Sequence, residues 1–176
     1  MKKTHILVAE DDEHIRNGLT DALESEGYSV TAVANGRRAL EAFQRQPCDL
    51  VLLDIMMPGK SGMELLSEII YGYPDTGVIM LTGVTDTDTA AKAMREGALD
   101  YMTKPFDLDE LTARIERALA RRALLLENRE YQQSLERMVT ERTEQRDSDV
   151  TALNRLFQEH LHQQIQKSLE AANGYR

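Results

Sequence analysis

Cysteine is almost missing from this chain of 176 residues, in which Cys48 is the only one. An intramolecular disulfide is therefore excluded, and such sparse cysteine is typical of a reducing compartment, so we expect a cytoplasmic location. We interpret Cys48 as a small residue at the edge of a buried strand.

Positive charge and long apolar runs are scarce as well. Lys and Arg number 21 against 30 Asp and Glu, which gives a net charge of −9. Because nucleic-acid phosphates repel an acidic chain, we expect no direct binding to nucleic acid. The apolar runs are far shorter than a membrane span, so we expect no membrane insertion.

Helix-breaking residues are confined to one part of the sequence. Nine of the ten glycines and all four prolines lie within residues 1–105, so the rest can form helix almost without interruption. We therefore predict a globular domain over residues 1–126 and a helical coiled-coil extension or linker over residues 127–176, with the last helix of the domain continuing into it.

Within the first part, short apolar runs alternate with helical patterns five times. The runs are residues 5–9, 28–33, 50–53, 78–81 and 99–103. Such alternation predicts an α/β fold, in which a parallel sheet is covered by helices on both faces. Asp107 and Glu110 have the spacing of a helix cap and its partner, and they predict the start of the fifth helix.

Polar side chains follow four of these runs, and the carboxyl ends of parallel strands meet at one edge of a sheet. They are Glu10, Asp11 and Asp12 after the first run, Asp54 after the third, Thr82 after the fourth and Lys104 after the fifth. Clustered carboxylates must bind protons or a cation, and oxygen ligands favour Mg²⁺. The pattern indicates phosphoryl transfer to the Asp54 carboxylate, with Lys104 and Thr82 contacting phosphoryl oxygens.

Four motifs in this order make a family resemblance clear: ILVAEDDEHIR, VLLDIMMPGKSG, VIMLTG and GALDYMTKPF. Over roughly residues 4–125, the chain resembles the receiver domain of bacterial two-component response regulators. The resemblance implies a flavodoxin-like, doubly wound five-stranded parallel sheet of order 2-1-3-4-5, and a sensor histidine kinase or phosphotransfer protein as phosphoryl donor. It also implies that enzymatic activity is limited to self-phosphorylation and self-dephosphorylation of Asp54.

The same resemblance assigns roles to individual residues. Asp54 corresponds to the phosphoacceptor, and Mg²⁺ is held by Glu10, Asp11, Asp54 and the backbone carbonyl of Met56. Thr82 corresponds to the switch hydroxyl, Lys104 to the phosphate-pairing lysine in a cis peptide with Pro105, and Tyr101 to the aromatic switch residue.

The first acid departs from the family pattern, since this position is commonly Asp and here is Glu10. The additional methylene would let this carboxylate act on the metal through a water molecule. Asp12 is the weaker candidate ligand, which a slip of one residue in the motif would substitute.

Apolar residues recur between charged ones beyond Leu111, as in a helix that continues into a dimeric coiled coil. The pattern breaks near residues 146–149, where Ser148 or Asp149 is predicted to cap a new helix. That helix would either fold back as an antiparallel hairpin or continue the coil. Its apolar stripe consists of Val150, Leu153, Phe157, Leu161, Ile165 and Leu169.

Three functions are consistent with these patterns. The first is a phosphorylation-controlled receiver that signals through the fourth helix, fifth strand and fifth helix to a dimerising helical tail. The second is the regulatory portion of a longer response regulator with a cyclic-dinucleotide or kinase output. The third, a phosphatase of the haloacid dehalogenase type, is disfavoured because it requires an acid two residues after the nucleophile, where this chain has Met56.

Overall fold

The computed structural model describes residues 3–83 and 87–173, with side chains through Ser168. The chain divides into two compact units, Met1–Leu126 and Glu127–Arg176. Five strands and five helices alternate along it. They are β1 (His5–Ala9), α1 (Glu13–Ser25), β2 (Ser29–Val33), α2 (Gly36–Arg45), β3 (Leu50–Asp54), α3 (Gly62–Gly72), β4 (Gly77–Thr82), α4 (Thr87–Arg95), β5 (Asp100–Thr103) and α5 (Leu108–Asn173).

The sheet has the order β2-β1-β3-β4-β5, and every strand pair is parallel. The predicted α/β architecture and its flavodoxin-like strand order are therefore confirmed. All residues of β1, β3 and β4 are buried, as expected for strands that are covered on both faces.

Successive strand residues pack into two separate cores because side chains alternate across a sheet. Leu7, Val51 and Met80 face the helices α2, α3 and α4, which contribute Phe43, Leu66 and Ala93 among others. The neighbouring residues Ile6, Leu52 and Ile79 face α1 and α5, with Leu19, Leu111 and Ile115 in the second core. The two cores fix the sheet from both sides.

Local signals explain where helices begin. Asn35 caps α2, and Ser61 with Glu64 forms a capping box at the start of α3. Asp107 accepts a hydrogen bond from the Asp109 backbone N–H, as a capping residue does. Its predicted partner Glu110 instead forms an ion pair with Arg114.

The predicted break near residues 146–149 is wrong, because α5 continues from Leu108 to Asn173. Side chains that often cap helices are accommodated inside this one by pairs four residues apart. Gln145 donates to Asp149 over 2.9 Å, and the Thr151 hydroxyl donates to the Asp147 carbonyl over 2.8 Å. A fold-back hairpin at this point is thereby contradicted. The side chain of Leu169 lies outside the described residues.

Cys48 is buried two residues before β3, which agrees with its predicted place at a strand edge. Burial raises the pKa of its thiol to about 12, so it is protonated at neutral pH. Among the described residues, no helix is both long and apolar enough to cross a membrane.

Gly62 begins α3 at a point where the helix lies directly against the end of β3. A Cβ atom placed there would collide with the Asp54 carbonyl oxygen and lie 2.8 Å from the Ile55 Cα. Both obstacles are backbone, so no side-chain movement relieves the collision. Glycine at this position is what allows α3 to approach the strand that carries Asp54.

We therefore expect Gly62→Ala to lower the free energy of unfolding by about 2 kcal/mol, as overpacking does. Urea unfolding followed by circular dichroism measures the change. Gly72→Ala is the matched control, because a Cβ there meets no atom within 4 Å and alanine favours the helix. Equal stability of the two variants would contradict the close approach.

Candidate functional site

An acidic cluster lies at the carboxyl edge of the sheet, where β1 and β3 end side by side. Glu10, Asp11 and Asp54 each place a carboxylate oxygen within 4.8 Å of the others. Glu10 and Asp54 are buried, with 1% and 2% of their surface exposed, whereas Asp11 is exposed. The sequence prediction that these three acids converge is confirmed.

Lys104 supplies the positive charge that balances this cluster. Its Nζ lies 2.6 Å from Oε2 of Glu10 and 3.2 Å from Oδ1 of Asp54. Its backbone N–H donates to the Thr82 carbonyl over 2.6 Å, which joins the loop after β5 to the end of β4. The Lys104–Pro105 peptide bond is cis, as the resemblance implied.

Burial dominates the protonation of Glu10. It raises the pKa of this carboxyl, and the negative charge of Asp54 acts in the same direction. The hydrogen bond from Lys104 opposes both effects by favouring the ionised form. The site is therefore a place where negative charge is costly unless a cation accompanies it.

The backbone of the acidic loop is fixed by an arginine that the sequence analysis did not identify. Nη1 of Arg16 on α1 donates to the carbonyl oxygens of Glu10 at 2.9 Å and Asp11 at 3.1 Å. The N–H of Glu10 donates to the Val33 carbonyl, which ties the loop to β2. Nothing in the composition marks Arg16, because it contacts only carbonyl groups here.

Asp12 has a structural place outside the cluster. Its carboxylate accepts hydrogen bonds from the backbone N–H groups of His14 and Ile15, and so it caps α1. These bonds, the Ile15 contact first, lower the pKa of its carboxyl. The alternative of Asp12 as a ligand is therefore not favoured by the geometry.

The remaining predicted residues lie around the cluster at different depths. Thr82 is the last residue of β4 and is buried, one strand away from Asp54. Met56 lies two residues after Asp54 in the following loop, with an exposed side chain. Tyr101 lies within β5, partly buried against the first core and opposite Met80 in the register.

Comparison with known proteins agrees with this geometry. The sequence matches the response regulator receiver domain family over residues 6–116. The chain belongs to the response regulator receiver family. Members of this family are signalling switches of two-component systems and bind Mg²⁺ at an acidic pocket.

Individual relatives place this receiver among transcriptional regulators. It is 45% identical over 119 residues to the transcriptional regulatory protein YkoG of Bacillus subtilis, and 41% identical over 120 residues to the DNA-binding transcriptional regulator NtrC of Escherichia coli. Each match covers 68% of this chain, but only 52% and 26% of those two proteins. The chain thus spans about half of the first and a quarter of the second.

A solved receiver structure from Methanospirillum hungatei shares the fold. Its TM-score is 0.67 at 29% identity, and the match covers 69% of this chain and 98% of that one. The expectation of no direct nucleic-acid binding is not supported by the relatives, because the name of NtrC states that it binds DNA.

The acidic pocket of this receiver fits the metal that its family binds. All three side chains offer oxygen, the donor that Mg²⁺ prefers. Oδ1 of Asp54 is buried and ion-paired with Lys104, yet it accepts no well-aligned hydrogen bond from the part of the chain described. A buried oxygen with unused acceptor capacity is what a cation or a transferred group would use.

Replacement of Lys104 by Met should destabilise the receiver by about 3 kcal/mol at pH 7.5 in metal-free buffer, because two buried carboxylates lose their cation. The folded-state pKa of Glu10 would rise further above its unfolded value, so the folded state would gain protons as pH falls. The deficit should therefore shrink toward pH 5. Urea unfolding at both pH values measures it.

Lys60→Met is the matched control for that experiment. Lys60 pairs with Glu68 on the surface, where an ion pair contributes at most about 1 kcal/mol. A Lys104 variant as stable as this control, or one whose deficit grew toward pH 5, would contradict the balancing role.

Proposed function

We propose that this chain is a phosphorylation-dependent switch in which Asp54 accepts a phosphoryl group from a histidine kinase or phosphotransfer protein. The observation that carries the proposal is the buried Asp54 carboxylate, which ends a central strand beside Glu10, Asp11 and Lys104. The family and the geometry both support it. We place this signalling in the cytoplasm and propose no other catalytic activity for residues 1–126.

Glu10, Asp11, Asp54 and the Met56 carbonyl are the groups that we propose to hold Mg²⁺. The bound ion would offset the charge of Asp54 and of the incoming phosphoryl group. Whether the longer Glu10 side chain binds directly or through water is left open by its present hydrogen bond to Lys104.

The chemistry of the transfer follows from the Asp54 carboxylate. One of its oxygens forms the bond to phosphorus as the bond from phosphorus to the donor nitrogen breaks, which gives an acyl phosphate. Lys104 then exchanges its Asp54 partner for a phosphoryl oxygen, and the Thr82 hydroxyl donates to another. The added charge of about −1.5 to −2 moves Thr82, and Tyr101 follows into the space beside it.

Asp54→Asn should abolish phosphoryl uptake while the fold is retained, since an amide cannot form the acyl phosphate. The measurement is intact mass after incubation with acetyl phosphate and Mg²⁺, where the parent gains one phosphoryl group. Asp21→Asn, at an exposed position on α1, is the control and should behave as the parent. Full uptake by the Asp54 variant would refute the assignment.

We further propose that the second unit dimerises through α5. Its large apolar side chains are exposed in the single chain, with Leu135, Met138 and Val139 at 40%, 50% and 64%. Leu153, Leu156 and Phe157 repeat this spacing 18 residues later, and they are exposed by 71%, 64% and 64%. Contiguous apolar surface of this kind marks an interaction site. The signal would reach it from Tyr101 through the α4–β5–α5 face.

A receiver limited to residues 1–126 should then be monomeric, and the full chain dimeric, in light scattering. Met138→Glu combined with Leu153→Glu should reduce the mass of the full chain to that of a monomer. Thr140→Glu introduces the same charge at an exposed position without removing apolar area, and should leave the dimer intact. A dimer of residues 1–126 would move the interface into the receiver.

The chain also fits the regulatory portion of a longer response regulator, since its relatives extend well beyond the matched region. The haloacid dehalogenase alternative is disfavoured, because Asp54 ends β3 and the position two residues later is an exposed Met56.

A further inference from the structure

The backbone of Tyr101 is enclosed by one ion pair between β5 and α5. Oδ1 of Asp100 accepts the Tyr101 backbone N–H at 2.8 Å and Nη1 of Arg114 at 2.9 Å. The same Nη1 donates to the Tyr101 carbonyl at 3.3 Å. One carboxylate oxygen and one guanidinium nitrogen thus bind both polar groups of this residue's backbone.

Arg114 is itself held firmly on α5. Its Nε and Nη2 donate to Glu110 one turn earlier at 3.0 and 2.8 Å, so three of its nitrogens have acceptors. Glu110 and Asp100 together raise the pKa of the guanidinium. The side chain is 26% exposed, and Asp100 is 28% exposed. An arginine bound on two sides in this way loses much of the freedom that weakens ordinary surface pairs.

No other residue of the first unit for which contacts are described links α5 to the Tyr101 backbone in this manner. Arg117, three residues further along the helix, is exposed and donates to the Ala113 carbonyl of its own helix. Two arginines on the same helix therefore differ in this contact to β5. This difference separates the effect of the contact from the effect of charge on α5.

We propose that Arg114 is a positioning residue for the switch: together with Asp100 it holds Tyr101 in its resting position and joins that residue to α5. The inference rests on the proposed function, since it assigns a regulator to the Tyr101 switch. The contact exists here together with the Lys104 pairs to Glu10 and Asp54, which belong to the unmodified site.

The direction of the effect follows from linkage. An interaction made in the resting arrangement and lost in the modified one opposes modification, so its removal favours the modified state. Loss of the Asp100–Arg114 contact should therefore tighten the binding of beryllofluoride, a phosphoryl mimic, by about fivefold. A contact that only stabilised the fold would leave this affinity unchanged.

The experiment uses the full chain with 3-fluorotyrosine in place of its six tyrosines. The Tyr101 ¹⁹F resonance is assigned with Tyr101→Phe and followed in Arg114→Gln, in Asp100→Asn and in their combination. Arg117→Gln is the matched control. Each protein is titrated with beryllofluoride in Mg²⁺, and the resonance is also compared without the mimic.

In the free protein, we expect the resonance to shift toward its mimic-bound position in the Arg114 and Asp100 variants, and not in the Arg117 variant. The combined variant should match the single ones, because both remove the same contact. An unchanged resonance and affinity in the Arg114 variant, or the same change in the Arg117 variant, would overturn the proposal. If the parent failed to bind the mimic, the switch function would fall, while the shift in the free variants would still decide whether Arg114 positions Tyr101.

Discussion

The first unit depends on one electrostatic constraint: buried carboxylates at the end of a sheet share a single lysine. Two like charges at 4 Å repel by about 4 kcal/mol at an effective dielectric constant of 20, and Glu10 and Asp54 are both nearly inaccessible to water. Lys104 offsets this repulsion while it donates its backbone N–H to the end of β4. Any group that takes Lys104 away from Asp54 must therefore disturb the loop between β5 and α5 as well.

The sheet makes this arrangement possible because it fixes the backbone around the charges. β1 and β3 are buried over their whole length, so the residues at their ends have little freedom to move apart. Arg16 holds the loop after β1, and Gly62 lets α3 lie against the end of β3. The cost of gathering the acids is thus balanced by the burial of two apolar cores that have no part in the chemistry.

The sequence predicts what burial and strand order determine, and less of what single hydrogen bonds determine. Buried apolar runs gave the five strands, and the strand ends gave Glu10, Asp54 and Lys104. Arg16 was missed because it acts on carbonyl oxygens, which carry no sequence signature. The predicted helix start near Asp149 failed for a related reason. A residue that caps helices also tolerates a helix interior when a neighbour four positions away, here Gln145, donates to its side chain.

The second unit obeys a different constraint, which is the phase of its apolar residues. Leu135, Met138 and Val139 are repeated by Leu153, Leu156 and Phe157 after 18 residues, and 18 residues make five turns of an ideal helix. Both groups therefore lie on the same side of a straight helix. A seven-residue repeat would move the second group off the seam of a left-handed supercoil. A partner that covers both groups at once must run nearly straight beside α5, whereas a tightly supercoiled partner covers one group and leaves the other exposed.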